Sequence, residues 1–517
     1  MTPSSTPATD RDRSAAFQAW STALVYGLGV SGRAAVRLLA RRGIRSEGVD
    51  RDEPGNLAQE LPELAVFHRE DRLGTVPPEV DALVLSPGVP PGRPLVVDAR
   101  RRGIPVLAEV ELAYRYLREL VPGGLPVPLV AVTGSNGKST TTALTGALLA
   151  AAGRPVQVCG NIGTAFSQAV LDTEAESEPG RQPADWVFVV ELSSFQIEGL
   201  DRFHPRAAAY LNLAPDHMDR YGSVDAYAAA KERLLAHLEP NDTAVLNFDD
   251  ERSRRASTRA RKRFFSRLAE PGSGFDDGCC LDGDRVVEID PEGRRTFLFD
   301  RRHLPLAGEH NLENAMAATL LARALGVTPE AIQRGLASFT GLPHRMEKVG
   351  ELAVGDRAGG PAVTFWNDSK GTNPAATIRS LEGFSDGIVH LILGGRSKGT
   401  DFSPLVPWIR SKARRVYLIG EAAREIEAAI GSTSGSGPPP VPLSRVPLSH
   451  CNTLENAVTE ATRRARPGDA VLLSPACASF DQFRDFAHRG EELRRLVLRL
   501  LEDSPRPASA EEARDGD

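Results

Sequence analysis

The stretch "LVAVTGSNGKSTTTALTG", residues 129–146, sets an apolar run before a glycine-bracketed loop, then Lys-Ser-Thr, then a run with helical propensity. That order suits a cradle for the phosphates of a nucleotide. Backbone N–H groups of such a loop face phosphate oxygens, Lys138 reaches the outer phosphates, and the Ser139 hydroxyl contacts Mg²⁺. Gly134, Ser135, Asn136, Gly137, Lys138, Ser139 and Thr140 are the phosphate-binding candidates. The eight-residue signature asks for glycine where this chain has Val132, so the match is partial.

Other chemistry-bearing residues stand where apolar runs end. "DWVFVVELSSFQ" closes a strand-like run on Glu191, a carboxylate placed to complete a Mg²⁺ shell. "LAPDHMDRY" carries Asp216 and His217, and parallel strands would deliver His217 to the same edge, where it and Glu191 could hold a second metal. Lys231, in the helical run "DAYAAAKERLL", reads as an exposed cation beside Glu232. Asn311 and Asn314, one turn apart in "AGEHNLENAMAA", could read an adenine edge or simply cap and decorate a helix. Near the C-terminus, "AVTFWNDSKGTN" offers Asp368, Ser369, Lys370 and Thr372, "HLILGGRSKGTDF" offers Lys398, and "AVLLSPACASFDQFRDF" offers Ser479, Phe480 and Phe486. Gathered on one sheet edge, these would form a small polar pocket.

A second glycine loop lies near the N-terminus. "TALVYGLGVSGRAAVRLLARRG" places Gly27, Gly29 and Gly32 between an apolar run and an amphipathic helix, and Asp50 ends the next strand at the distance of a ribose-binding acid. A diphosphate there would face the helix N-terminus. A tight strand–helix turn with no ligand fits the same letters. "VLSPGVPP" ends another buried-looking strand along the same edge.

These loops need parallel sheets to position them, and strand-like and helical runs do alternate along all 517 residues. The expected fold class is α/β with three domains: a Rossmann-like N-terminal domain (21–122), a central phosphate-loop ATPase domain with a mostly parallel sheet (123–341), and a C-terminal Rossmann-like α/β domain (342–504). Polar tails at 1–20 and 505–517 flank them. "VPGGLPVP" and "FTGLPHRME" are the two joints, and "TEAESEPGRQPAD" and "GSTSGSGPPP" read as surface insertions. A composition 41% hydrophobic and 25% charged, with no apolar run of membrane-spanning length, is that of a globular protein without membrane insertion. A net charge of −6 argues against a nucleic-acid partner. Five cysteines without paired metal spacing fit a reduced, cytoplasmic protein, and the N-terminus does not read as a signal peptide. Arginines number 55 and lysines only seven, so each lysine invites a question; Lys138, Lys231, Lys370 and Lys398 fall in the motifs above, leaving Lys262, Lys348 and Lys412 as surface residues.

Together the motifs resemble one family, the ATP-dependent Mur ligases of peptidoglycan synthesis. "TGSNGKST", "GNIG", "ELSSFQ", "LAPDHMDRY", "GEHNLENA", "GLPHRME", "WNDSKGTN", "LGGRSKGTDF" and "SPACASFDQF" occur in family order over nearly the whole chain, and "NDSKGTN" with "SPACASFDQFRDF" resembles its D-glutamate-adding members. The resemblance implies an ATP-dependent amide ligase adding D-glutamate to UDP-N-acetylmuramoyl-L-alanine through an acyl phosphate, acting as a monomer with two Mg²⁺ sites. It implies that the glycine loop takes UDP rather than NAD, with Val30, Ser31, Arg51, Ser86 and Gly88 as contacts, and that Asn161 and His217 touch the muramoyl substrate. It further implies ATP contacts at Asn311, Asn314, Arg345 and Asp368, a carbamylated Lys231 which, with Ser139, Glu191 and His217, serves the metals, and D-glutamate contacts at Thr372, Lys398, Ser479, Phe480 and Phe486. A different acceptor, as in other Mur or folylpolyglutamate-type ligases, would share the central motifs. A non-catalytic nucleotide-binding protein and an NAD-dependent oxidoreductase compete from other classes; the latter leaves the phosphate loop unexplained.

Overall fold

Continuous apolar runs such as "LVAVT" and "VFVVE" belong to strands covered on both faces, which is the condition of a parallel sheet. The computed structural model describes the chain except residues 1–19, 52–55, 122–126, 177–182, 270–274, 305, 307, 354–359, 398–400, 432–445 and 503–517. Expectations for both tails, for part of the first joint, for parts of the two polar insertions and for Lys398 thus lie outside the described residues. Two compact units follow one another, up to Phe339 and from Thr340.

The first unit contains two sheets. One runs β3-β2-β1-β4-β5, all parallel, from β1 (Thr22–Tyr26), β2 (Arg45–Asp50), β3 (Leu64–Arg69), β4 (Ala82–Leu85) and β5 (Val106–Ala108). Its order reverses between β1 and β4, which splays the loops after those strands into a crevice. The helix Val30–Arg41 packs over it on Ala34, Ala35, Leu38 and Leu39. Gly32 permits that packing, because a Cβ there would lie 1.8 Å from the Gly27 carbonyl oxygen.

The other sheet has nine strands: β6 (Leu129–Thr133), β7 (Val156–Gly160), β8 (Val187–Glu191), β9 (Ala207–Tyr210), β10 (Thr243–Asn247), β11 (Arg261–Ser266), β12 (Gly278–Asp282), β13 (Arg285–Ile289) and β14 (Arg295–Asp300). The order is β14-β13-β12-β11-β10-β9-β6-β8-β7, parallel except for the β12-β13-β14 meander. The switch lies around β6, so the ends of β6, β8 and β9 adjoin.

Buried carboxylates stitch these two sheets together across the first joint. Glu111 is fully buried; its oxygens accept the backbone N–H groups of Asp201, Arg202 and Phe203, each at 3.0 Å, and Arg115 Nε at 2.7 Å. Glu109 Oε1 accepts the Ser167 N–H at 2.5 Å, but its Oε2 is buried without a partner, and burial pushes its carboxyl up to about 7. The folded chain therefore keeps a proton on Glu109 that the unfolded chain releases near the ordinary glutamate value of 4.5. Stability from this difference is complete below that value and is lost as pH rises through about 7. Glu109→Gln is expected to flatten this segment of the stability–pH curve, read by urea unfolding at pH 5, 6, 7 and 8.

The second unit holds one sheet, β15-β16-β20-β17-β18-β19, from β15 (Glu347–Leu352), β16 (Val363–Asn367), β17 (Val389–Gly394), β18 (Ala413–Ile419), β19 (Leu448–Asn452) and β20 (Ala470–Leu473). Only the β15–β16 pair is antiparallel. Late-arriving β20 inserts between β16 and β17, so the loops after these three strands stand side by side. Among the described residues no helix is long and apolar enough to cross a membrane.

Candidate active site

The crevice between β1 and β4 is a cleft of about 460 Å³, lined among others by Val30, Ser31, Arg51, Ser86 and Gly88. Those are the five residues singled out for a uridine diphosphate. Ser86 Oγ donates to the Gly27 carbonyl at 2.6 Å and ties the two loops together. Asp50 also lines this cleft. One oxygen accepts the Leu28 N–H and the other the Arg51 N–H, both at 2.7 Å, so its carboxylate braces the glycine loop. Val30 is 73% exposed at the mouth, an apolar side chain left uncovered where a ligand is expected.

The phosphate loop follows β6, with Gly137 at a left-handed φ of +82° before the helix Lys138–Ala151. Lys138 Nζ donates to the carbonyls of Gly134 (2.9 Å) and Ser135 (3.0 Å), folded onto its own loop. Ser139 and Thr140 are buried at the helix start. A residue that sequence reasoning passed over fixes the loop: Asn212 after β9 accepts the Asn136 N–H at 2.9 Å and donates to the Asn136 carbonyl at 3.2 Å. Ser135 Oγ is held likewise, accepting the Ala214 N–H and donating to the Ala214 carbonyl. Both candidate asparagines are buried, and Asn314 Nδ2 donates to Asn311 Oδ1 at 3.2 Å. A Cβ on Gly137 would lie 2.2 Å from Asn314 Oδ1, which places Asn314 directly against the loop. Gly137→Ala combines that overlap with a left-handed backbone costing roughly 1–2 kcal/mol, so ATP affinity is expected to fall tenfold or more, as read by calorimetric titration.

Lys231 corrects the reading of an exposed cation. It is 1% exposed, and its Nζ donates to the Gly134 carbonyl at 2.8 Å, the same oxygen that Lys138 uses. Burial, and then the Lys138 charge, pull its ammonium down to about 6 against the pull of Asp216 and Glu191. The Tyr227 ring lies 4.5 Å from Nζ and 6.1 Å from the His217 ring. His217 sits at φ +54°, packed 4.8 Å from the Phe195 ring and otherwise exposed.

Glu191 ends β8 and is buried. Its Oε1 accepts Asn161 Nδ2 at 2.9 Å, while Oε2 is buried with no hydrogen-bond partner. A capping box between Ser193 and Gln196 fixes the chain just beyond it. An unpartnered carboxylate oxygen near the phosphate loop fits a cation. Among the described residues no three His, Cys, Asp or Glu side chains gather into a cage. A divalent ion here would lean on a carboxylate, a hydroxyl, phosphates and water, the habit of Mg²⁺.

The remaining candidates belong to the second unit. Arg345 stands between His344 (φ +61°) and Met346 (φ +46°), two left-handed residues of the kind that cluster at functional loops. Buried His344 pins this turn, its Nδ1 3.0 Å from Asn367 Nδ2. Asp368, buried, accepts the Ser380 and Ser474 hydroxyls at 2.6 Å each, and burial raises its carboxyl above the usual range. Thr372 lies in the loop after β16, Ser479 is buried after β20, and Phe480 is 59% exposed beside it. Lys370 Nζ lies 5.7 Å from the Phe486 ring.

Three family models match the chain: Mur ligase MurD-like, N-terminal domain, over 21–108; Mur ligase middle domain over 132–322; and Mur ligase, glutamate ligase domain, over 344–477. The chain is 44% identical over 483 residues to the UDP-N-acetylmuramoylalanine--D-glutamate ligase of Anaeromyxobacter dehalogenans, covering 92% of this chain and 96% of that one. The proteins of that name from Koribacter versatilis (39%, covering 93% and 97%) and Myxococcus xanthus (41%, covering 92% and 98%) are similar over the same extent. Among solved structures, the UDP-N-acetylmuramate-alanine ligase MurC of Thermotoga maritima matches with a TM-score of 0.55 at 18% identity, covering 94% of this chain and 100% of that one. MurF of Acinetobacter baumannii matches with 0.53 at 19%, covering 93% and 90%. At such identities the likeness is one of fold.

Proposed function

The chain belongs to the Mur ligase family, and on that premise we propose that it joins D-glutamate to UDP-N-acetylmuramoyl-L-alanine, with ATP converted to ADP and phosphate. The observation that carries this reading is the shared name of relatives 39–44% identical over more than nine-tenths of the chain. The reaction is assigned to the cytoplasm, the compartment of ATP and nucleotide-sugars, and five free, buried cysteines accord with it.

A carboxylate is a poor acylating agent because its leaving group would be oxide. In the proposed sequence a muramoyl-alanine carboxylate oxygen bonds to the γ-phosphorus as the bond to ADP breaks, giving an acyl phosphate. The D-glutamate nitrogen, neutral when it attacks, then bonds to the acyl carbon, inorganic phosphate leaves, and the nitrogen loses a proton. Bringing anions together is the main barrier, and Lys138 is the chain's own charge at that point. Mg²⁺ would supply further neutralisation of the phosphate oxygens, held by Ser139 and Glu191 at one site and by Glu191, His217 and a carbamylated Lys231 at the other. The bond from Asn161 Nδ2 to Glu191 supports a role for Asn161 in coupling the muramoyl substrate to that carboxylate. Val30, Ser31, Arg51, Ser86 and Gly88 orient the uridine diphosphate; Asn311, Asn314, Arg345 and Asp368 orient ATP; Thr372, Lys398, Ser479, Phe480 and Phe486 receive D-glutamate.

The test is an acceptor panel: UDP-N-acetylmuramoyl-L-alanine, ATP and single amino acids, with phosphate release measured. Release with D-glutamate is expected, and release with a diamino acid but not with D-glutamate would refute the reading. Lys398→Ala should raise the D-glutamate KM roughly 10- to 100-fold, the worth of a charge-assisted hydrogen bond, and leave the ATP KM unchanged.

A further inference from the structure

The helix Phe486–Glu502 carries near its start an arginine with no solvent exposure, one of the largest fully buried side chains of the described residues. A guanidinium taken out of water ordinarily requires a carboxylate beside it. Arg489 spends its donors on neutral oxygens instead. Nε donates to Ser369 Oγ at 3.0 Å; Nη2 donates to the Ser369 carbonyl at 2.9 Å and the Cys477 carbonyl at 3.2 Å; Nη1 donates to the Ala478 carbonyl at 3.4 Å. Asp368 and Asp481 act on its charge from farther away.

Those oxygens belong to two loops that adjoin because β16 and β20 pair in parallel. Ser369 is three residues before Thr372, and Ala478 immediately precedes Ser479. A third loop joins through Ala478, whose carbonyl also accepts the Arg396 N–H at 2.8 Å and whose N–H donates to the Arg396 carbonyl at 3.2 Å. Arg396 is two residues before Lys398. Ser369 Oγ in turn donates to the Phe486 carbonyl at 2.8 Å. Every described residue assigned to the acceptor thus stands on a segment bonded to Arg489 or to one of its direct partners; Lys398 lies outside the described residues.

We propose that Arg489 is the positioning residue of the acceptor site, setting the spacing of the loops that bear Thr372 and Ser479, without touching the acceptor. This rests on the assignment of those loops to D-glutamate. Isolated rigid packing would need no charge at this point; a planar fork of five donors holding several carbonyls at once is what an arginine supplies and a lysine does not.

The full-length enzyme is tested with Arg489→Lys and the milder Ser369→Ala, in phosphate-release assays with each substrate varied in turn. Arg489→Lys is expected to raise the D-glutamate KM tenfold or more while the KM values for ATP and UDP-N-acetylmuramoyl-L-alanine stay within twofold. Ser369→Ala should raise it about threefold. Amide hydrogen exchange in 370–372 and 474–479 should quicken at least tenfold in the lysine variant. A D-glutamate KM unchanged in either folded variant overturns the proposal, as does a fall in kcat with all three KM values unmoved, the mark of a smaller active fraction. Should Arg489→Lys fail to fold, Ser369→Ala decides by the same criteria. If the unmodified enzyme releases no phosphate with D-glutamate, the functional reading fails, and the exchange measurement still judges Arg489: unaltered rates in the two loops refute it.

Discussion

Lys138→Ala is expected to abolish phosphoryl transfer, lowering kcat by on the order of 10³-fold or more, while the protein still folds. The physical ground is the bonding of its ammonium. In the structure Nζ rests on two carbonyls of its own loop, Gly134 and Ser135, a solvated substitute for phosphate oxygens. Moving to a phosphate costs little, because the loop that leads into Lys138 is already fixed by the Asn136–Asn212 and Ser135–Ala214 bonds. The loss should fall on chemistry rather than stability, since the Gly134 carbonyl keeps its bond to Lys231 Nζ when Lys138 is gone. Single-turnover acyl-phosphate formation, trapped by reduction, measures it directly; a variant with more than a tenth of normal activity would contradict the role.

Lys231→Ala and Lys231→Arg should both lower kcat, on the order of 10²-fold or more, with circular dichroism unchanged for the alanine variant. A neutral amine can form a bond to the carbon of CO₂ and lose a proton, becoming a carbamate anion. A protonated amine cannot, and arginine stays protonated throughout. With the ammonium pulled down to about 6, Lys231 is mostly neutral at pH 7.5 and increasingly protonated as pH falls through 6. Activity is therefore expected to drop on that acidic limb and in CO₂-depleted buffer, and to return on adding bicarbonate. The same shift has a stability consequence of known sign. Between about 6 and the ordinary lysine value of 10.5 the unfolded chain holds a proton at this side chain that the folded amine lacks, so stability rises with pH across that window. Lys231→Met should remove the rise, with urea midpoints at pH 6 to 9 as the measurement.

The phosphate loop was legible in the sequence because its geometry is local: strand, glycine at a left-handed turn, lysine, helix. The two glycine-bearing loops at the sheet reversals were legible for the same reason, and parallel topology then brought "ELSSFQ" beside "TGSNGKST". Lys231 was not read correctly from its letters, since burial is decided by what packs on the helix. A signal was nonetheless present. Lys231 lies four residues after Tyr227 and three before Leu234, on the stripe that also buries Ala230 and Leu235. Asn212 gave no signal at all, because a single amide after a strand is ordinary until its partner loop is known. The brace that Asp50 forms to the Leu28 and Arg51 N–H groups was not legible either, because a strand-end acid near a glycine loop shows its backbone partners only once the loop's path is known. Lys412, expected at the surface, is largely covered, paired with Asp386 at 2.7 Å and donating to the Phe384 carbonyl at 2.8 Å.

The carboxylate of Glu111, bonded to three successive backbone N–H groups across the first joint, bears on how the first unit holds together. It ties the helix after β5 to the turn before β9, within the one compact unit that holds both the crevice between β1 and β4 and the phosphate loop. Separating the two elements would break all three of these bonds at once.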